Sequence, residues 1–269
     1  MIKSERIGEI RKFLLARTLA GRAVYFTTAY FVDGLMVDTG CVFTIRELVD
    51  ALDGLEVATI VNTHSHEDHT AANSALQAKY GAEILAHTDA LPILADPRLK
   101  PLRPYQHVMW GRPPSSKGSP IPPYLETTRY RFQVIHTPGH SADHICLFEP
   151  DQGWLFVGDA YVGGFDRSLR ADYNIWQIID SLKKLAWLKP AVLFPGSGTV
   201  RSNAYEELAS KIDYLETMGH RVDELYRKGW SRRRIRRKLF GPEMFIAYFT
   251  LGHFSGRNLV RSYIEDRAG

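Results

Sequence analysis

The segment His64-Ser65-His66-Glu67-Asp68-His69 constrains the fold of this chain more than any other feature, because it places three histidines and an aspartate within six residues, directly after a short apolar run. Residues 57–61 are typical of a buried strand, and we predict a helix that begins near Asp68. Alternate side chains of an extended stretch share a face, which places His64 and His66 together. A turn then brings Asp68 and His69 back to the same point. This density predicts a metal site, the alternative being polar residues on a solvated loop.

The composition, with 45% hydrophobic and 24% charged residues in a chain of 269, is typical of a soluble globular protein. The chain lacks a run of about 18 apolar residues, and its N-terminus lacks an apolar stretch with a small-residue cleavage site. We therefore expect neither a membrane span nor a secretory signal. The two cysteines, Cys41 and Cys146, cannot form a disulfide framework, which favours a cytoplasmic location.

Strands and helices alternate along most of the chain, which indicates an α/β fold. The dipeptide Asp33-Gly34 joins two apolar segments as a hairpin. The predicted strands cover residues 24–32, 35–37, 57–61, 83–86, 131–135, 145–148, 154–157 and 191–194, and the predicted helices cover residues 45–52, 70–80 and 175–188.

Two segments differ from this alternation. Residues 92–123 are rich in proline, glycine, serine and basic residues, and their scattered aromatic side chains favour a lid over a disordered loop. Beyond Asn203 the sequence is typical of helices up to its end. We therefore expect a metal-binding domain over residues 1–202, with the lid inserted in it, and a helical C-terminal region over residues 203–269 packed on that domain.

Three further polar clusters stand where predicted strands end. They are Thr137-Pro138-Gly139-His140, Gly158-Asp159-Ala160 and Pro195-Gly196-Ser197-Gly198. Because functional residues of such folds concentrate on the loops at strand ends, we expect these clusters to converge with the first histidine segment.

This ordered set of residues resembles the metallo-β-lactamase superfamily, from about residue 24 to residue 198. The resemblance implies an α/β (α+β) fold, a four-layer αββα sandwich, here with a helical C-terminal extension. It also implies a metal site that holds one or two zinc ions, with iron or manganese as alternatives. In the residue-by-residue correspondence, a first ion is held by His64, His66 and His140, a second by Asp68 and His69, and the bridging residue is Asp159.

One position departs from the family pattern. Many members carry a second-metal histidine in the last Pro-Gly-x-Gly turn, where this chain has Ser197. A hydroxyl is a poorer zinc ligand than an imidazole. Either another residue supplies the missing nitrogen, or the second ion binds weakly or not at all. His253, in a glycine-flanked break of the helical tail, is the candidate substitute; its alternative role is packing or surface exposure.

Asp68 has a second candidate role, and two more residues are candidates for supporting the site. Asp68 is the candidate catalytic residue, because it could orient a water molecule or carry a proton to the leaving group. Asp38, in Val37-Asp38-Thr39-Gly40, resembles the carboxylate that orients a ligand histidine in this superfamily, or it caps a turn. Tyr161 could donate a hydrogen bond to an oxyanion, or it only packs.

The expected function is hydrolysis of a small ester, thioester or lactone, as in the glyoxalase II and lactonase branches. A cation held by neutral imidazoles lowers the pKa of bound water, so the expected nucleophile is a metal-bound hydroxide. Three alternatives remain open: a mononuclear iron oxidoreductase of the persulfide dioxygenase type, a phosphodiesterase or nuclease, and a descendant without activity.

The expected partner is a small-molecule substrate. We interpret the basic segment Ser231–Lys238 as the solvated face of a helix, with a phosphate-binding stripe as the alternative. No nucleic-acid-binding module is recognisable in the sequence, so nucleic acid is not an expected partner. The aromatic segment 244–249 is compatible with burial in its own domain or in a second copy of the chain, as a homo-oligomer.

Overall fold

Two facing β-sheets form the centre of the fold in a computed structural model that describes residues 1–266. The first sheet has the strand order β1 to β7: Ile2–Ile7, Ile10–Leu19, Arg22–Val32, Leu35–Val37, Thr59–Val61, Glu83–Ala86 and Ser119–Pro120. The second has the order β13-β11-β10-β9-β8, with β8 Tyr124–Glu126, β9 Arg131–His136, β10 Ile145–Glu149, β11 Trp154–Gly158 and β13 Val192–Pro195. A short antiparallel ribbon pairs β12 Leu169–Arg170 with β14 Phe254–Ser255.

Helices cover the outer faces of both sheets. They are α1 Ile45–Ala51, α2 Asn73–Tyr80, α3 Leu91–Ala95, α4 Pro104–Met109, α5 Ile175–Trp187, α6 Ala204–Arg227, α7 Arg232–Leu239, α8 Phe245–Phe249 and α9 Gly256–Glu265. Leu48 of α1 and Leu76 of α2 share a buried cluster with the first sheet. Helices α5, α6 and α9 share another with the second sheet. The expected α/β four-layer sandwich with C-terminal helices is therefore confirmed. None of the helices within residues 1–266 combines the length and hydrophobicity needed to cross a bilayer.

Aromatic side chains fill the space between the sheets next to the strand ends. The rings of Phe156 and Phe194 stack with centroids 4.8 Å apart, and Tyr30 meets both edge-on at 5.4 and 5.5 Å. The Tyr30 hydroxyl donates a hydrogen bond of 2.7 Å to the carbonyl oxygen of Pro195. This bond satisfies the buried hydroxyl, which would otherwise lack a partner. It also joins β3 of the first sheet to the end of β13 in the second.

The hairpin around Asp33-Gly34 forms as predicted, with Tyr30 opposite Val37.

The prediction that a helix begins near Asp68 is wrong, because α2 begins at Asn73. The backbone before α2 is bonded instead to the loop that follows β4. The amide of Thr39 donates to the carbonyl oxygen of His69 at 2.8 Å, and the amide of Ala71 donates to that of Gly40 at 3.0 Å. Asp68 consequently lies in a turn and not at a helix N-terminus.

The 92–123 insertion is partly ordered into helices and contacts two distant parts of the chain. Tyr105 of α4 is buried against Phe249 and His253, with ring centroids 6.1 and 5.8 Å away. Trp110 meets the ring of Tyr25 edge-on at 5.5 Å. The insertion thus connects the β2–β3 hairpin with the C-terminal helices.

The N-terminus of α5 offers a test of local stability. Asn174 precedes the helix, and its side-chain oxygen accepts hydrogen bonds of 3.0 Å from the amides of Trp176 and Gln177. Replacing such a capping residue by alanine costs about 1 kcal/mol. We expect Asn174→Ala to lower the free energy of unfolding by about this amount in urea titrations. Asn203 precedes α6 without a side-chain capping bond in the described chain, so Asn203→Ala is the matched control. Equal losses in both variants would contradict this account of the cap.

Candidate metal centre

The structure brings the polar clusters together at one edge of the two sheets, because each follows the end of a strand. The histidine segment follows β5, and Asp38 follows β4. From the second sheet, His140, Asp159 and Ser197 come after β9, β11 and β13. The loops therefore converge as predicted, because the strands that carry them are parallel or adjacent and end at the same edge.

Three buried imidazoles form the first group of ligand atoms. The Nε2 atom of His64 lies 2.8 Å from Nδ1 of His66, and Nε2 of His140 lies 2.9 Å from the same Nδ1 atom. Burial, together with neighbouring positive groups, lowers the pKa of all three histidines well below its ordinary value. Neutral rings keep a nitrogen lone pair, so the three nitrogens can hold one cation.

A second group consists of His64, His69 and Asp159, whose candidate ligand atoms lie within 4.8 Å of one another. Asp159 stands between the two groups: its Oδ2 atom is 3.6 Å from Nε2 of His69 and 3.7 Å from Nε2 of His140. This is the position that a bridging carboxylate requires. Asp68 lies beside the second group, with Oδ2 3.8 Å from Nε2 of His69.

The charges and unpaired atoms of the site fit a divalent cation. Nε2 of His69 and Oδ1 of Asp159 are buried, and neither has a hydrogen-bond partner among residues 1–266. Burial, together with the charges of Glu67 and Asp159, raises the pKa of Asp68 to about 7. Buried carboxylates and imidazoles without compensation are costly, and a coordinated ion offsets that cost. Imidazole nitrogen and carboxylate oxygen are also the donor atoms that zinc, iron and manganese accept.

Asp38 supports the site from behind. Its Oδ2 atom accepts hydrogen bonds of 2.8 Å from Nδ1 of His69 and from the Thr63 hydroxyl, and its Oδ1 atom accepts one of 2.8 Å from the Thr63 amide. The charges of Asp38, Asp68 and Asp159 raise the pKa of His69, and when an ion replaces the proton on Nε2, the bond to Asp38 keeps the other proton on Nδ1. Asp38 adopts φ +59°, an unfavourable conformation for a residue with a side chain. The orienting role predicted for Asp38 would use the bond to His69, and that role stays a prediction.

The loop that carries Asp159 is held by a histidine and a glycine. The amide of Asp159 donates to Nε2 of His144 at 3.1 Å, and Nδ1 of His144 is 2.8 Å from the Thr137 hydroxyl. Both ring nitrogens of His144 are thus engaged within the protein. Gly158 has φ +46°, and a Cβ atom there would lie 2.7 Å from Oγ1 of Thr63. Only glycine therefore permits this close approach of the two sheets.

Tyr25 is a site residue that the sequence did not reveal. It lies in a bulge of β3, where the register with β2 shifts between Leu15 and Arg17, and its φ is +48°. A positive φ in a bulky residue is a rare and costly conformation. Although the residue is 48% exposed, its hydroxyl end reaches Ser197, and burial together with the charges of Asp159 and Asp68 raises the pKa of the phenol. No local pattern signals such a bulge, because glycine or asparagine is the usual residue there.

Two candidates from the sequence lie outside the ligand groups. The Tyr161 hydroxyl donates a hydrogen bond to Glu207 of α6, which turns it away from the expected oxyanion position. His253 belongs to neither group within the described residues; its Nδ1 atom lies 2.8 Å from the Tyr105 hydroxyl. Tyr173, whose hydroxyl lies 3.2 Å from Nε2 of His140, is instead the second tyrosine at the site.

A cavity of about 210 Å³ opens beside the two ligand groups. Its lining includes His140, Asp159 and Tyr25, together with the polar residues Asp166, Ser168, Arg170 and Lys211. Most of the remaining wall is apolar, and its residues include Ala160, Val162, Leu169, Ile175, Ile178 and Phe254. The cavity can therefore hold a small molecule with an apolar part next to the ligand atoms.

The chain is similar in sequence to several curated proteins. The Beta-lactamase-like protein 2 homolog of Drosophila melanogaster is 28% identical, over 67% of this chain and 58% of that protein. The hydroxyacylglutathione hydrolase of Rhizobium meliloti is 28% identical, over 52% of this chain and 49% of that protein. An atrochrysone carboxyl ACP thioesterase of Aspergillus fumigatus is 29% identical, over 63% of this chain and 34% of that protein. The chain thus spans between 34% and 58% of the length of these relatives.

Solved structures show the same fold, and a family model matches most of the sandwich. A metallo-beta-lactamase family protein of Thermus thermophilus has a TM-score of 0.65 at 19% identity, over 99% of this chain and 92% of that chain. A metallo-beta-lactamase of Pontibacter korlensis has a TM-score of 0.64 at 17% identity, over 80% of this chain and 99% of that chain. The family model described as the metallo-beta-lactamase superfamily matches residues 22–197, which include both ligand groups. The chain therefore belongs to the metallo-beta-lactamase superfamily.

Proposed function

We propose that this chain is a metal-dependent hydrolase of a small thioester, ester or lactone. The observation that carries the proposal is the convergence of three neutral, buried imidazoles on one point, with Asp159 beside them. Relatives named as a thioesterase and as a hydroxyacylglutathione hydrolase support a thioester as the first substrate class to test. Zinc is the proposed ion because a set of three imidazoles is typical of catalytic zinc sites, and iron and manganese are the alternatives that metal analysis separates. The two ligand groups support one or two ions.

A divalent ion bound there supplies a Lewis acid that polarises a carbonyl group and makes water more acidic. The chain's own residues would place the reactants. The apolar cavity wall holds the acyl part of the substrate and excludes water from it. Asp68, next to His69, lies where it can hold a water molecule and transfer its proton towards the leaving group.

Tyr25 completes the polar side of the cavity. Its pKa lies above the ordinary value, so the phenol keeps its proton near neutral pH and can donate a hydrogen bond. We assign this donor to the oxygen that gains negative charge when the carbonyl is attacked. Many family members carry a histidine at the position of Ser197. The Tyr25 side chain lies next to Ser197 and therefore next to this changed position.

The first prediction concerns the ligand histidines. We expect His66→Ala to lower the bound metal per chain and to reduce kcat/KM for thioesters by roughly 100-fold or more, since losing even a residue that only supports a metal ligand costs 10–100-fold. Metal analysis and a panel of acyl thioesters measure both effects. His220→Ala, on the exposed face of α6, is the control and should change neither quantity. Full metal content and full activity in His66→Ala would overturn the proposed function.

The second prediction separates the hydroxyl of Tyr25 from its backbone strain. Tyr25→Phe keeps the strained backbone and removes the donor, so kcat should fall by roughly 100-fold with little change in KM or metal content. Tyr25→Asn removes the ring at a φ that asparagine tolerates, so kcat should also fall while the free energy of unfolding rises by about 1 kcal/mol. A tyrosine that only packs would give the reverse pattern, with unchanged kcat in Tyr25→Phe and lower stability in Tyr25→Asn.

A further inference from the structure

Large apolar side chains lie uncovered on α8 and in the turn that follows it. The aromatic segment 244–249 is exposed apart from one alanine, with Phe245 80% and Tyr248 69% exposed, and Leu251 in the turn is 85% exposed. The rings of Phe245 and Phe249 stack with centroids 6.2 Å apart. We call Phe245, Tyr248, Phe249 and Leu251 the apolar patch. Apolar side chains exposed as a group, and not singly, indicate a surface that binds another molecule or a membrane.

The backbone at Leu251 favours a role for this side chain outside the chain's own core. Its φ is +52°, in the left-handed region that asparagine and glycine adopt more readily than leucine. Backbone bonds close the turn: the Leu251 amide donates to the carbonyl oxygen of Tyr248 at 3.2 Å, and the Gly252 amide donates to that of Ala247 at 2.7 Å. The leucine side chain therefore costs stability in the free chain and is buried only when something covers it.

Cations of α7 and α9 lie beside the apolar patch. Arg233 of α7 and Arg257 of α9 line a surface groove of about 420 Å³ together with Tyr248 of the patch. Arg237 follows Arg233 by four residues, so both lie on the same face of α7. These three arginines are exposed, and their guanidinium groups have no acidic partner within 4.0 Å among residues 1–266. Unpaired positive charge thus borders the exposed apolar side chains.

Two glutamates near the groove are already engaged. The Glu243 carboxylate accepts a hydrogen bond of 2.8 Å from the Gly256 amide and lies 3.4 Å from Nε of Arg236. Glu265 of α9 lies 2.6 Å from Nη2 of Arg232. These contacts neutralise Arg232 and Arg236, and they leave the other arginines available to an external anion.

Three kinds of partner differ in which part of this surface they would cover. A nucleic acid would pair with the arginines but leave Phe245 and Leu251 in water. A second copy of the chain would cover the apolar patch, but a symmetric contact through α8 would bring two sets of α7 cations together. An anionic bilayer accepts apolar side chains at the acyl boundary and cations among its headgroups. Charge complementarity therefore favours the bilayer.

We propose that the apolar patch and the adjacent arginines of α7 and α9 form a docking surface for an anionic phospholipid bilayer. Phe245 and Leu251 would enter the boundary between headgroups and acyl chains, and Tyr248 would lie at the interface, where an aromatic ring with a polar end is favoured. The unpaired arginines would lie among the lipid phosphates. Docking of this kind needs no helix that crosses the bilayer, and it does not depend on the proposed hydrolysis.

Vesicle binding tests the proposal with the full chain. Co-sedimentation compares vesicles of phosphatidylcholine alone with vesicles in which roughly a third of the lipid is phosphatidylglycerol. We expect binding to the anionic vesicles to be tighter by roughly 10-fold or more, and to weaken at high salt because ions screen the arginines. Equal binding to both kinds of vesicle, or binding to neither, would overturn the proposal.

Substitutions in the apolar patch test whether these side chains enter the bilayer. Phe245→Ser and Leu251→Asn should each weaken binding to the anionic vesicles by roughly 10-fold, since each removes a large apolar side chain from the buried contact. Leu251→Asn should not lower the thermal stability of the free chain, because asparagine tolerates the positive φ. Trp187→Ser removes an 82% exposed ring from the end of α5 and is the control, with wild-type binding expected. Wild-type binding in both patch variants would refute the insertion.

A second set of variants tests the position of the charge. The double variant Arg233→Gln, Arg237→Gln should bind the anionic vesicles roughly 10-fold more weakly, since each cation near such a surface adds to the affinity. The double variant Arg46→Gln, Lys184→Gln removes two exposed cations from α1 and α5 and should bind as the wild type does. Metal content should stay unchanged in both. Equal losses in the two double variants would assign binding to net charge and overturn the docking surface.

An environment-sensitive dye beside the patch reports insertion directly. The two cysteines, Cys41 and Cys146, are buried, so Met244→Cys supplies an accessible thiol next to Phe245. The dye emission should shift to the blue with anionic vesicles and stay unchanged with neutral ones. Two results would overturn the proposal: dimers that Phe245→Ser dissociates in a protein that ignores vesicles, or RNA binding without any vesicle binding. The first would assign the surface to a second copy, and the second to nucleic acid.

Discussion

The structure depends on the burial of imidazoles and carboxylates that need a cation. His64, His66 and His140 point ligand nitrogens at one another across 2.8 and 2.9 Å, and Asp159 faces them from the second sheet. Without a positive ion between them, such groups would be expensive to remove from water. The two sheets, the aromatic contacts between them and the Asp38 hydrogen bonds hold these groups together against that cost. In the proposed account, a bound ion therefore contributes to the energetics of the fold as well as to the chemistry.

Two residues with a side chain and one glycine adopt positive φ angles at the same edge of the sheets. Asp38, Tyr25 and Gly158 adopt φ values of +59°, +48° and +46°, and each lies within or directly beside the site. Strain of this kind persists only where surrounding contacts determine the conformation. Asp38 is held by Thr63 and His69, and Gly158 by the close approach of Thr63 and His144. At Tyr25 the positive φ accompanies a phenol whose pKa is raised by burial and by the charges of Asp159 and Asp68, and the proposed donor role accounts for it.

Much of the site was predictable because its residues follow apolar runs directly. His64, His140 and Asp159 each come within four residues of a strand end, so the strand pattern alone predicted their convergence. Residues that depend on long-range contacts were not predictable in this way. Tyr161 turns towards Glu207 of a distant helix, and His253 packs on Tyr105 of the insertion. The later start of α2 has the same cause, because bonds to the loop after β4 replace the first helical turn.

The central claim is that the two ligand groups hold a divalent ion. The most direct measurement is the elemental content of wild-type protein purified without added metal, followed by equilibrium titration of the stripped protein with Zn²⁺. The account predicts at least one ion per folded chain and a rise in thermal stability when the ion returns. A folded protein that contains no metal, and whose stability does not respond to Zn²⁺, Fe²⁺ or Mn²⁺, would contradict it.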